Sequence, residues 1–478
     1  MRFAARLLTC LLMWSVLSLL LSAAATACYL GSQGVTPHAL ARYVATRAEG
    51  HGAIVTGVGD LARKMLLVLD GHAIDGRETR ALAVGAAARP APGLAASARV
   101  VAVATPLQLR AAINAALPGD AITLAAGVYR IGDTIAVHAP GSSASPVTVR
   151  AERPGSAVIE FDTVEGFAVS APYWQFEDLA IRGVCADHSQ CEHAFHVTAG
   201  AHHFVALNNT VEDFNAQFKI NGANGRFPDA GRIEGNTVTN STVRRTGNPV
   251  TPIDLVGASD WIIRRNLIAD FIKQGGDQIS YGAFAKGAGA RNVFEQNIVW
   301  CERRLQGEPG QRIGLSLGGG GSGPAYCRDR ACITEQDSGV IRSNLVASCS
   351  DDGIYLNSAA RSIVAHNTVL GTAGVTVRYP TSGAELEGNL VDGPIRSRNE
   401  GILHLRDNLD SAAAWQFAGR RPLRALFSTA AGNPFAWSGS TPRRDGGSAA
   451  PPDLCGTPRP HAPAYGAFEH FSACLAQP

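Results

Sequence analysis

Lysine is almost missing from this chain. Only Lys64, Lys219, Lys273 and Lys286 occur in 478 residues, and arginine supplies the remaining basic side chains. Charged residues make up 17% of the chain, aromatic residues 7%, and the formal net charge is +2. So weak a field argues against a nucleic-acid partner or a membrane surface held by charge. No Cys-x-x-Cys pair occurs, which argues against a structural zinc site. No Gly-Lys-Ser/Thr follows the glycine run 318–321, so it is not a phosphate loop. What the chain has in quantity is glycine, 52 residues, and apolar side chains, 46%. That is the composition of a turn-rich β protein with a continuous core, and not of a disordered chain.

One tripeptide returns along the chain. Asn209-Thr-Val, Asn236-Thr-Val, Asn266-Leu-Ile, Asn297-Ile-Val, Asn344-Leu-Val, Asn367-Thr-Val, Asn389-Leu-Val and Asn408-Leu-Asp share Asn, a β-former, then usually Val or Ile. The steps between the Asn residues are, by subtraction, 27, 30, 31, 47, 23, 22 and 19. Recurrence at this period marks a solenoid. The repeat unit is made of short strands, so the expected fold is a parallel β-helix. Its strands stack at about 4.8 Å per coil. The Val or Ile would point inward. The Asn is expected at the corner, because it tolerates the left-handed backbone region, with its side chains stacked in a hydrogen-bonded ladder.

The N-terminus reads as an export signal, residues 1–27. Arg2 and Arg6 precede an apolar run from Leu7 to Leu21, and Ala25-Thr26-Ala27 is a small-residue cleavage site. A retained membrane anchor is the alternative. The mature chain would then begin at Cys28, which also resembles a lipoprotein site, so a lipid anchor there and plain cleavage both stay open. Eight further cysteines form an even set. Close spacing pairs Cys185 with Cys191, Cys327 with Cys332, and Cys455 with Cys474. Cys301 and Cys349 follow repeat Asn residues by four and five positions, so consecutive coils would bring them together. Oxidised pairs place the protein outside the cytoplasm: periplasm, outer membrane or secreted.

Residues 28–98 form a weakly helical segment and a linker. Thr36-Pro37 would open one helix and Gly59-Asp60 another, while 85–98 are small and proline-rich. Thr105-Pro106, followed by Leu109, Ala112, Ile113 and Ala116, predicts a short helix capping the open end of a β-helix that spans 99–410. The long step from Asn297 to Asn344 holds an insertion, about 302–337, expected as a loop on the binding face. Residues 411–478 leave the repeat as an irregular tail. A monomer is expected.

LQLRAAINAALPGDAITLAAGVYR (107–130), SSASPVTVRAERPGSAVIEF (142–161) and WQFEDLAIRG (174–183) resemble the opening coils of polysaccharide lyase family 6. The ending DLCGTPRPHAPAYGAFE (453–469) resembles a tail on many bacterial right-handed β-helix proteins. The resemblance implies an all-β, right-handed parallel β-helix. It also implies cleavage of uronic-acid polysaccharides by β-elimination, with a Lys base, an Arg acid and calcium on the uronate carboxylate. The matching stretch is GGDQISYGAFAKGAGARNVFEQN, 275–297. It puts Lys286 at the base position and Asp277 near the metal ligands. Gln278 stands at an acidic ligand position, and the family's Arg-His-Gly element has no counterpart in GLSLGGGGSG (314–323).

The substitute acid is expected to be Tyr281 or an arginine of the insertion. Arg303, Arg312, Arg342 and Arg378 are candidates to grip carboxylates of an acidic polysaccharide bidentately. Asp351 and Asp352 are candidates for paired-carboxylate hydrolysis. Three readings stand: a lyase on acidic glycans, a non-catalytic carbohydrate-binding or surface β-helix, and a glycoside hydrolase using the aspartates. His188, His193, His196, His202 and His203 read as surface strand and turn residues.

Overall fold

The computed structural model describes residues 2–87, 99–319, 321–430, 432–446 and 451–476. Most of the expected linker, 88–98, and Gly320 of the glycine run lie outside the described residues. Three long parallel sheets carry the fold. A twelve-stranded sheet runs from Arg99–Val103 to Ile402–Arg406, an eleven-stranded sheet from Gly127–Ile131 to Leu409–Asp410, and a ten-stranded sheet from Ile135–Val137 to Ile395–Arg398. Each coil gives one strand to each sheet and pairs with the coil before it and the coil after it. The chain is a right-handed parallel β-helix, with the helix Pro106–Asn114 over its first coil. Thr105 caps that helix by accepting from Gln108 N, and Leu109 and Ile113 are buried in the solenoid core.

The repeated asparagines form the expected ladder. Asn209, Asn236, Asn266, Asn297, Asn344, Asn367, Asn389 and Asn408 are joined in that order, each amide Nδ2 donating to the Oδ1 of the next. Each Oδ1 also accepts from the backbone N–H of the preceding Asn. One expectation is corrected. The left-handed residue is not the Asn but the one before it: Asn208, Gly235, Arg265, Gln296, Ser343, His366, Gly388 and Asp407 all have positive φ. The bend is made one position earlier, so the Asn side chain turns inward and its amide lies along the stack.

The third residue of every repeat but the last, such as Val238, Ile268 and Val299, is inside the coil, and Asp410 of the last is exposed. The second faces outward, and Leu267, Ile298, Leu345 and Leu390 are buried there by a second apolar cluster. Residues from 72–87 and 423–475 supply it: Ile74, Val84, Phe427, Phe435, Phe468 and Phe471. The tail from residue 423 on is therefore a cover over the eleven-stranded sheet, closed by the Cys455–Cys474 disulfide. The other three expected pairs also form, including Cys301–Cys349 between neighbouring coils. Inside the first coils, Phe167, Phe195 and Phe218 stack in register with centroids 5.3 and 5.2 Å apart.

The chain divides into two compact units, 72–410 with 423–478, and 1–71 with 411–422. The second unit holds the helices Arg2–Ser32, Pro37–Ala48 and Ala53–Asp70. Within it, Arg421 Nε donates to Asp70 O at 2.9 Å. The third helix starts at Ala53, earlier than the expected Gly59-Asp60. Gly59 lies mid-helix because a Cβ there would meet Ala48 Cβ at 2.5 Å. Met13–Ser32 is long and apolar enough to cross a membrane, by length and composition. Cys28 lies in that helix, exposed and unpaired with another cysteine.

Candidate active site: a lysine-lined groove

The ten-stranded sheet forms the floor of a groove of about 890 Å³. Its strands are His193–Thr198, Ala216–Asn221, Ile253–Val256 and Ile279–Lys286. Outward positions stack across coils in the order His196, Lys219, Asp254, Phe284. One wall is the insertion. Its Cys327–Cys332 disulfide closes the tip, and Arg328 fixes it. That guanidinium donates to both Asp229 oxygens at 2.7 Å and lies 4.6 Å over the Phe227 ring. The other wall carries Pro249, Val250, Lys273 and Asp277.

Three of the chain's four lysines line this groove: Lys219, Lys273 and Lys286. Lys219 Nζ donates to Asp254 Oδ2 at 2.8 Å, and Lys273 Nζ to Asp277 Oδ1 at 2.7 Å. Lys286 Nζ sits 4.4 Å over the Phe284 ring and has no ion pair among the described residues. Since Phe284 is in register with Asp254, the Lys286 ammonium is carried back over the row that holds Lys219. Both ring nitrogens of His196 meet acceptors, Nδ1 with Glu165 Oε1 at 2.7 Å and Nε2 with Asn221 Oδ1 at 2.8 Å. Burial opposes the charged ring, but Glu165 overcomes it and raises the His196 pKa. Burial, with His196 and Lys219 beside it, pushes His193 down to about 4. His193 and His196 are thus groove residues, not surface ones.

Of the residues singled out from the sequence, Lys286, Tyr281 and Asp277 line the groove. Burial, with Tyr355, Asp351 and Asp352 close by, raises the Tyr281 phenol above its ordinary value. Asp351 and Asp352 lie in the turn before Ile354–Asn357, and Arg378 ends Val375–Arg378, both strands further along the same sheet; the three meet different partners. Asp351 accepts from Gln311 Nε2, Asp352 from Thr376 Oγ1 and Arg396, and Arg378 donates to the Tyr355 hydroxyl. Burial pushes Asp352 up to about 7.

The other arginines are elsewhere. Arg312 is 1% exposed, and its Nε donates to Glu302 Oε1 at 2.8 Å, so it cannot reach a glycan. Burial alone would raise the Glu302 carboxyl, but Arg312 and His72 overcome it. Arg303 packs against Trp300, and Arg342 pairs with Glu295 on the twelve-stranded sheet. Lys219, Asp254 and Lys273 were not singled out from the sequence as site residues. The scarcity of lysine was the signal that could have found two of them.

Residues 95–246 match the family described as Pel9A-like, right handed beta helix region. Pectate lyase L of Dickeya chrysanthemi is 33% identical over 91 residues, 16% of this chain and 21% of that protein. The chain thus spans about a fifth of the length of that curated relative. The crystal structure of pectate lyase Pel9A superposes with a TM-score of 0.51 at 15% identity, over 79% of this chain and 98% of that one. An alginate lyase from Paenibacillus sp. gives a TM-score of 0.35 at 16% identity, over 65% and 99%. These likenesses are to proteins named as polysaccharide lyases. The Pel9A superposition establishes the β-helix fold.

Proposed function

We propose that the groove binds an acidic polysaccharide outside the cytoplasm and cleaves it by β-elimination. The observation that carries this reading is the gathering of three of four lysines on one wall-bounded groove. Among its lining residues Lys219, Lys273, Lys286, Arg328 and Arg330 face only Asp254 and Asp277 of opposite charge. The names of the relatives, pectate and alginate lyases, point to the same substrate class. The four disulfides support an oxidising compartment, and the exposed Cys28 is compatible with a lipid anchor.

In the proposed reaction Lys286 Nζ takes the proton from the carbon α to the uronate carboxylate. Lys219 and Lys273 are each held by an aspartate, while Lys286 has no ion-pair partner among the described residues, so Lys286 is assigned as the base. The electron pair becomes the new C=C bond, the C–O bond to the neighbouring sugar breaks, and the leaving oxygen is protonated. Tyr281, whose phenol burial keeps protonated, supplies that proton. Arg303 and Arg312 do not line the groove, and Arg291 pairs with Asp260.

Calcium, implied by the resemblance through Asp277, does not fit this donor set. Calcium takes six to eight oxygen ligands. Asp277 Oδ1 already accepts from Lys273 and from Ile279 N, and Asp254 Oδ2 from Lys219. Among the described residues, no three carboxylate or imidazole ligand atoms of the groove gather within 4.8 Å.

The test is a screen of polygalacturonate and alginate, following the ultraviolet absorbance of the unsaturated uronate product. Lys286→Ala should lower turnover about 10²-fold or more, as loss of a general base does, with an unchanged melting transition. Near-wild-type turnover in a folded Lys286→Ala protein would remove the base assignment.

A further inference from the structure

A uronate can lose its α proton only if the charge building on its carboxylate is stabilised. A bound divalent cation is one way. The groove offers another. Lys219 has carboxylate and imidazole neighbours on both sides along the sheet. Asp254 is one coil on in register and bonded at 2.8 Å, and His196 is one coil back in register. Glu165 lies beyond, on the strand before His196, bonded to its ring. Lys273 repeats the arrangement on the adjoining wall, with Asp277. Each ammonium spends one donor on its aspartate and has three in all.

We infer that the substrate carboxylate is neutralised by the Lys219 ammonium, held in place by Asp254 and assisted by Lys273, and that glycan binding needs no divalent cation. This rests on the acidic-glycan reading of the groove. It adds that the cation is built into the chain. Asp254 then acts as a positioning residue: it fixes the lysine that touches the substrate. Of the ammonium's three donors, two remain to meet a carboxylate edge-on.

The experiment uses the full chain, freed of metal with a chelator. Binding of galacturonate and mannuronate oligomers is measured by calorimetry, with the chelator and with added calcium, and turnover is followed in parallel by absorbance. Wild-type affinity for the preferred oligomer should agree within about twofold across the two conditions. Lys219→Met should weaken binding about tenfold or more, the size of one charge-assisted contact, and calcium should not restore it. Lys219→Arg keeps the cation and should retain most of the affinity, which separates loss of charge from loss of fold. Chelation that abolishes binding, with calcium restoring it, overturns the inference. So does wild-type affinity in Lys219→Met. Calcium-indifferent binding without unsaturated product would leave this inference standing and sink the lyase reading. Failure to bind either oligomer under both conditions would sink both.

Discussion

Asn266 sits in the middle of the ladder, and replacing it with Ala should cost about 1–3 kcal/mol. Its side chain is fully buried. Its Nδ2 donates to Ile233 O at 2.8 Å and to Asn297 Oδ1 at 3.0 Å, and its Oδ1 accepts from Asn236 N at 2.9 Å and Asn236 Nδ2 at 3.1 Å. Some of these partners keep a second bond. Asn297 Oδ1 still accepts from Asn266 N, and Asn236 Nδ2 still donates to Ala206 O. The Asn236 backbone N–H loses its partner, while the Ile233 carbonyl stays in the strand ladder opposite Ile262–Arg264. One buried donor left without a partner costs about 1–3 kcal/mol. That is a large part of a typical domain stability, on the order of 5–15 kcal/mol. Asn266→Asp is the sharper variant: it keeps the shape but turns an oxygen toward the two acceptors that Nδ2 served, so it should cost at least as much. Asn408 ends the ladder and is less buried, so Asn408→Ala should cost under half as much. Urea unfolding followed by far-ultraviolet circular dichroism measures all three. A cost below about 1 kcal/mol for Asn266→Ala, or equal costs for Asn266→Ala and Asn408→Ala, would refute a ladder that holds the coils.

Other outcomes follow from the same geometry. Arg312→Ala should destabilise by about 3–5 kcal/mol, since it strands the Glu302 carboxylate in the interior; an Arg312→Ala, Glu302→Gln double variant should recover part of that loss in thermal melts. Replacing Cys301 and Cys349 by Ser opens a crosslink across 48 residues of sequence, and chain entropy puts the loss at about 4 kcal/mol by urea midpoint. Burial holds the Glu177 carboxyl up at about 7. Its raised value means that its contribution is complete below the unfolded pKa, about 4.3, and is lost as pH climbs through about 7. Glu177→Gln should therefore flatten the decline in stability between pH 4 and 8 by about 3–4 kcal/mol, and an unchanged slope would place the burial elsewhere.

The features legible in the sequence are those written locally or periodically. The Asn ladder, the capping helix behind Thr105-Pro106 and the four cysteine pairs each follow from short spacings or from one repeated offset. The groove does not. Lys219 and Asp254 are 35 positions apart and meet only because their coils stack in register. Lys286 was found through resemblance and rarity, and Tyr281 through its nearness to Lys286. Arg312 reads from the sequence as an arginine of the insertion free to grip a glycan, because nothing in its neighbourhood shows that Glu302 and the 308–309 carbonyls would enclose it. Asp351 and Asp352 are adjacent in sequence, yet they sit in the turn before Ile354–Asn357 and meet different partners, Gln311 for one and Thr376 with Arg396 for the other. A pair of letters was therefore a poor guide to a pair of carboxylates.

The ladder joins coils separated by as few as 19 and as many as 47 residues with the same two bonds. Turn length is therefore invisible to the spine. A lineage could lengthen the segment between Gly318 and Glu335, shorten it or replace it, and the next asparagine would still find its partner. The parts that hold the fold and the wall of the proposed glycan groove are therefore separable. Grafting that segment from one such chain to another at these two points should move glycan preference without a redesign of the core.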